Sequence, residues 1–194
     1  MRPTGKNHAW AGFVALLFSS ACSAPAPVSE SVGRASEPII NGTDSVSSQN
    51  FVVLIERLAG DNQFDECTGT LVAPNLVLTA RHCVSSISDQ GFTCDASGVG
   101  STGGEIGDDF EPSTLQIYTG LDRPATLGNP AAVGTQIFHD TSTNLCDHDV
   151  ALIGLNQAVA TPDAGVAALR FGPLATAGEV FTAVGWGVST TSSP

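Results

Sequence analysis

Lysine occurs once in this chain, at position 6, and basic residues number seven against nineteen acids. From Cys22 onward only five arginines remain to face all nineteen carboxylates. A nucleic-acid-binding surface needs a basic footprint, so that partner class is excluded, and anionic membrane surfaces, which recruit basic clusters, are disfavoured. Charged residues of either sign make up 13% of the chain, while glycine supplies 21 residues and proline 11. That composition argues against a coiled coil or a long helical bundle. No apolar run reaches the roughly 18 residues of a membrane-spanning helix. No Cys-x-x-Cys pair occurs, and His82, His139 and His148 have no metal-ligand spacing, so no metal site is expected. What is present is 194 residues, 42% of them hydrophobic, with a net charge of −12. This is one domain or two small ones, with chain enough to bury a core.

The first 21 residues have the layout of a secretory signal peptide. A polar start carrying Arg2 and Lys6 leads into the apolar run at 9–18, followed by small residues up to Ala21. Cleavage after Ala21 would leave Cys22 first, as in a bacterial lipoprotein, which makes Cys22 a lipidation candidate. Residues 22–38 are rich in Pro, Ala and Ser without apolar periodicity and read as a linker or propeptide. The chain is expected outside the cytoplasm, secreted or anchored by lipid, where disulfides are permitted.

From Ile39 the sequence breaks into short apolar runs separated by Gly, Pro, Asn, Asp and Ser. Strands are expected at 51–57, 67–73, 76–79, 115–121, 133–139, 149–155 and 179–188, all rich in β-branched and aromatic residues. Pro74-Asn75 marks a hairpin turn. No segment has a sustained 3.6-residue period, so the fold class is all-β, a barrel or a sandwich. Residues 85–113 are rich in glycine and acids and read as a long surface loop. No cofactor is expected. Calcium held by Glu105, Asp108, Asp109 and Glu111 is the alternative for this loop, although their spacing matches no EF-hand. Four cysteines remain beyond Cys22, namely Cys67, Cys83, Cys94 and Cys146. Spacing alone does not choose among their three pairings.

Three segments carry the chemistry. Residues 67–83 (CTGTLVAPNLVLTARHC) run strand, turn, strand and then place His82 against Cys83, a suitable mount for a fixed general base. Asp149-Val150-Ala151-Leu152 leads a carboxylate into an apolar strand, where it can accept from an imidazole Nδ1–H and set the tautomer. His139 and His148 read as surface or strand-end residues, and His148 points away from the face of Asp149 by strand alternation. Gly185-Trp186-Gly187 lets backbone approach a large ring.

In this order, over about residues 39–188, the segments resemble the trypsin/chymotrypsin-like serine proteases. Ile39-Ile40-Asn41-Gly42 resembles the family's new N-terminus after activation. Thr79-Ala80-Arg81-His82-Cys83 resembles its histidine segment, with Arg81 where alanine is common. Asp149-Val150-Ala151-Leu152 resembles its aspartate strand, and Gly185–Gly187 its Gly-Trp-Gly strand. The resemblance implies a double β-barrel, with an N-terminal barrel at 39–155 and a C-terminal barrel only begun within 156–194. It implies His82 as general base, Asp149 as its orienting carboxylate, Ile39 as the activation terminus, and disulfides Cys67–Cys83 and Cys94–Cys146. It implies protein or peptide substrates, and no oligomer is expected. The family's Gly-Asp-Ser-Gly-Gly nucleophile segment does not occur, and Ser189, Ser192 and Ser193 lack its context. The sequence therefore predicts a serine endopeptidase whose 194 residues lack the nucleophile and are inactive alone. The alternative is a non-catalytic extracytoplasmic binding module on the same barrel.

Overall fold

The computed structural model describes residues 42–187, apart from 61–62, 89–90, 123–125, 162 and 173. The segments read as leader and linker, with Cys22 and Ile39, lie outside the described residues, as do Ser189, Ser192 and Ser193.

Strands β1 (Val52–Gly60) and β2 (Gln63–Ala73) pair antiparallel, and a tight turn at Pro74-Asn75 returns the chain as β3 (Leu76–Thr79). Proline suits that turn because its φ is preset and it has no N–H to leave unpaired. The chain then leaves the sheet through a single helical turn, Arg81–Cys83. Four short strands follow: β4 (Ser85–Ile87), β5 (Thr93–Cys94), β6 (Gly100–Thr102) and β7 (Ile106–Asp109). It returns as β8 (Leu115–Tyr118), β9 (Ala132–Phe138) and β10 (Ala151–Leu155). The order β1-β2-β3-β10-β9-β8 closes on itself as a six-stranded antiparallel barrel. Closure removes the open sheet edges that would otherwise seek partners.

Period-2 alternation fills the interior. On β10, Ala151, Ile153 and Leu155 are buried while Leu152 and Gly154 between them are only partly covered. They meet Val53, Ile55, Leu71, Val77 and Ile117 in one cluster. Gly134 on β9 is required by close approach. A Cβ there would lie 2.5 Å from the carbonyl oxygen of Pro112 and 3.1 Å from Ile153. Gly134→Ala is therefore expected to cost about 1–3 kcal/mol, since backbone must move. Thermal unfolding of the variant checks this.

The structure corrects four expectations about elements. Residues 85–113 are no plain loop, because β4 pairs with β7 and β5 with β6 in two small sheets. The strand expected at 115–121 stops at Tyr118. The strand expected at 149–155 begins at Ala151, which leaves Asp149 in the loop before it. The run 179–188 forms no strand over its described part, 179–187. Strand composition is not enough there, because a strand exists only in a ladder. Val180 and Phe181 are 94% and 85% exposed. Instead the segment after β10 runs back across β2, where Val159, Ala167 and Trp186 donate main-chain N–H groups to Pro74, Leu71 and the Thr68 hydroxyl. The Trp186 indole N–H donates to the Val52 carbonyl at 3.2 Å.

Candidate active site

The site follows from the register of two neighbouring strands. Thr79, the last residue of β3, pairs with Ala151, the first of β10. Extending both chains past that pair sets the Arg81–Cys83 turn opposite Asp149 at one end of the barrel. The disulfide Cys67–Cys83 ties the turn to β2. A second disulfide joins Cys94 at the edge of β5 to the buried Cys146 just before Asp149. Cross-links closing 16 and 52 residues stabilise the fold by about 3 and 4 kcal/mol in the chain-entropy view.

Asp149 grips His82 at two points. Its Oδ2 lies 2.8 Å from His82 Nδ1, and its Oδ1 accepts the His82 main-chain N–H at 2.9 Å. A carboxylate accepts, so the ring proton is assigned to Nδ1 and Nε2 carries the lone pair. The hydrogen bond to Asp149 raises the His82 pKa above 6.5, and the carboxylate's charge adds to this against partial burial. Burial pushes the Asp149 pKa up, but the ring and main-chain bonds from His82 outweigh it and hold it below 3.8. The pair can therefore hold an imidazole in one tautomer and stabilise its protonated form.

A cavity of about 490 Å³ opens beside the ring, lined among others by Arg57, Asp65, Glu66, His82, Ser86 and Phe110. Arg57 pairs with Asp65 and stacks on the Phe110 ring, 3.8 Å from its centroid.

The other two histidines of this region do not join His82. His139 Nε2 contacts Asp109 Oδ2 at 2.7 Å, and His148 Nδ1 contacts Asp140 Oδ2 at 2.5 Å. Nor do the four loop carboxylates gather. Glu105 bonds Ser88, while Asp109 is engaged by Ser85 and His139. Among the described residues the one cluster with metal-ligand reach is Cys67, His82 and Cys83, whose sulfurs are committed to the disulfide.

Sequence reasoning missed Arg81, noticed only as a departure from alanine. Its side chain is 6% exposed. Nε donates to Ser85 Oγ at 3.0 Å and Nη1 to the Asp140 carbonyl at 3.2 Å. The carboxylates of Asp109 and Asp140 each stand 3.8 Å away. The available signal was a lone arginine inside a disulfide-bounded segment, since a cation drawn indoors must bring its acceptors.

Comparison with known proteins gives matches of two kinds. The Trypsin family model matches residues 39–193. A solved structure of HL collagenase is similar at 19% identity and a TM-score of 0.44, over 69% of this chain and 48% of its own. The chain thus spans about half the length of that structure. No curated protein matches the sequence.

Proposed function

The chain belongs to the trypsin family, and from that premise we propose that it is a serine endopeptidase in which His82 and Asp149 handle the proton. The observation that carries this reading is the two-point hold of one carboxylate on the His82 ring and main chain. In this reading a serine hydroxyl attacks the peptide carbonyl and His82 Nε2 takes its proton. Asp149 steadies the imidazolium, which then protonates the leaving amine. Protein or peptide chains are the substrates, with residues on one side of the scissile bond facing the cavity beside His82. The proposed location is extracytoplasmic, secreted or lipid-anchored at Cys22. The support is the leader-like segment at 1–21 and two disulfides, which persist in oxidising compartments.

No Gly-Asp-Ser-Gly-Gly occurs within the 194 residues. The purified 194-residue chain is therefore expected to take up no fluorophosphonate, a probe that reacts with activated serines. Stoichiometric labelling would overturn this assignment. Reading the gene past the codon for Pro194 tests the proposal as a whole. An open frame reaching that motif is the expected result. A stop codon there would remove the enzyme reading and leave the non-catalytic binding module.

A further inference from the structure

We propose that Arg81 is a positioning residue for the His82–Asp149 pair: its buried guanidinium clamps the Arg81–Cys83 turn to Asp109 and Asp140 and so holds the main chain that aims the ring. This rests on the reading of His82 and Asp149 given above, and goes beyond it by naming what keeps them in register.

The argument starts from the cost of burial. A guanidinium removed from water is stable only where acceptors surround it. Here they come from three separate elements. Ser85 belongs to β4, Asp109 ends β7, and Asp140 follows β9. Ser85 Oγ in turn donates to Asp109 Oδ1 at 2.6 Å, so the carboxylate and the hydroxyl form one connected floor under the arginine. Both carboxylates are held ionised. Burial pushes Asp109 up, but bonds from Ser85 and His139 bring it below 3.8, and Asp140 is lowered first by the Ser142 N–H and then by His148. The titratable side chains facing this floor are thus Asp109, Asp140, His139 and His148, with Arg81 at its centre.

Arg81 is adjacent to His82 in a turn of three residues. Its main chain also helps to lower the Asp149 pKa, behind the bonds from His82 itself. The disulfide fixes the far end of the turn, at Cys83. Arg81 fixes the near end, so the ring of His82 is carried between two anchored residues. The planar fork of arginine suits this task, because it donates to a hydroxyl and a carbonyl in fixed directions while its charge faces two carboxylates 3.8 Å away.

The test is an NMR titration of the His82 imidazole in the 194-residue chain, with the low-field Nδ1 proton as a second readout. Arg81→Met keeps much of the apolar stem and removes the fork. If Arg81 positions the pair, the His82 pKa falls by roughly half a unit or more and the Nδ1 resonance is lost. The sign is decisive. Deleting a nearby cation and leaving Asp109 and Asp140 uncompensated would by itself raise the His82 pKa. A rise, or no change with the resonance retained, would overturn the proposal. Should Arg81→Met fail to show a native near-ultraviolet dichroism spectrum, Ser85→Ala decides the matter. It removes one anchor and is expected to lower the His82 pKa by a smaller amount, and an unchanged value overturns the proposal. Asp149→Asn, run in parallel, separates the two levels. An unchanged His82 pKa there would defeat the underlying reading, while a fall there but not in the Arg81 or Ser85 variants defeats the positioning role alone.

Discussion

Asp149→Asn drops the His82 pKa from its raised position and, in a form of the chain that carries its nucleophile, slows turnover about 10⁴-fold. The amide has the shape of the carboxylate but offers one donor and one acceptor. It can present its NH₂ to Nδ1, which forces the ring proton to Nε2, the atom that must accept from the nucleophile. The charge that steadies the imidazolium is lost in the same step. Folding should survive, because the main-chain N–H of His82 can still be met by the amide oxygen. The measurement is kcat/KM against pH for both forms. The acid limb of the parent lies above 6.5, since His82 acts as base only when deprotonated and its pKa is raised. The pair also shapes stability. A raised histidine contributes stability below its unfolded value of 6.5 and loses it as pH climbs through the folded value. A lowered aspartate contributes above 3.8 and loses it as pH falls through the folded value. Their joint contribution is therefore greatest between about pH 4 and 6.5, and by urea denaturation the Asp149→Asn variant should lose that maximum and show a flatter profile on either side of it.

Reduction of both disulfides is expected to abolish the cooperative fold at room temperature. The two loops together are worth about 7 kcal/mol in the unfolded-chain entropy view, against a total stability of about 5–15 kcal/mol for a domain of this kind. The loss has a local order. Opening Cys67–Cys83 frees the turn that carries His82, whereas opening Cys94–Cys146 frees the small β5–β6 sheet and the approach to Asp149. Cys67→Ala with Cys83→Ala should therefore broaden the His82 Nδ1 resonance before the barrel melts. Cys94→Ala with Cys146→Ala should lower the melting temperature more, because its loop is longer. A reduced chain with an unshifted melting transition would contradict this.

The barrel strands were legible because each buries one face, and burial on one face writes a two-residue alternation into the sequence. On β10 the interior positions Ala151, Ile153 and Leu155 carry that signal. Strands β5 to β7 left no such trace. They are two to four residues long and mostly exposed, so hydrogen bonding rather than burial defines them. The opposite failure occurred at 179–187, where Val180, Phe181, Val184 and Trp186 have strand chemistry but no ladder. Within the site, the His82 and Asp149 segments stood out through their neighbours, Cys83 on one side and an apolar strand on the other. The surroundings of Arg81 did not. Ser85 is near in the chain, but Asp109 arrives only through the pairing of β4 with β7 and Asp140 only through closure of the barrel.

The same closure governs the order of events during folding. His82 and Asp149 stand 67 residues apart in the chain, and their contact is an extension of the β3–β10 ladder. Hairpins such as β2–β3 zip locally and early, while pairings across long loops must await the slow collapse of the intervening chain. Ladder β3–β10 belongs to that late class, as does the β1–β8 seam. The His82–Asp149 pair is thus expected among the last contacts to form. A nascent or half-folded chain holds an ordinary histidine, and the raised affinity of His82 for a proton becomes a timestamp of the finished barrel.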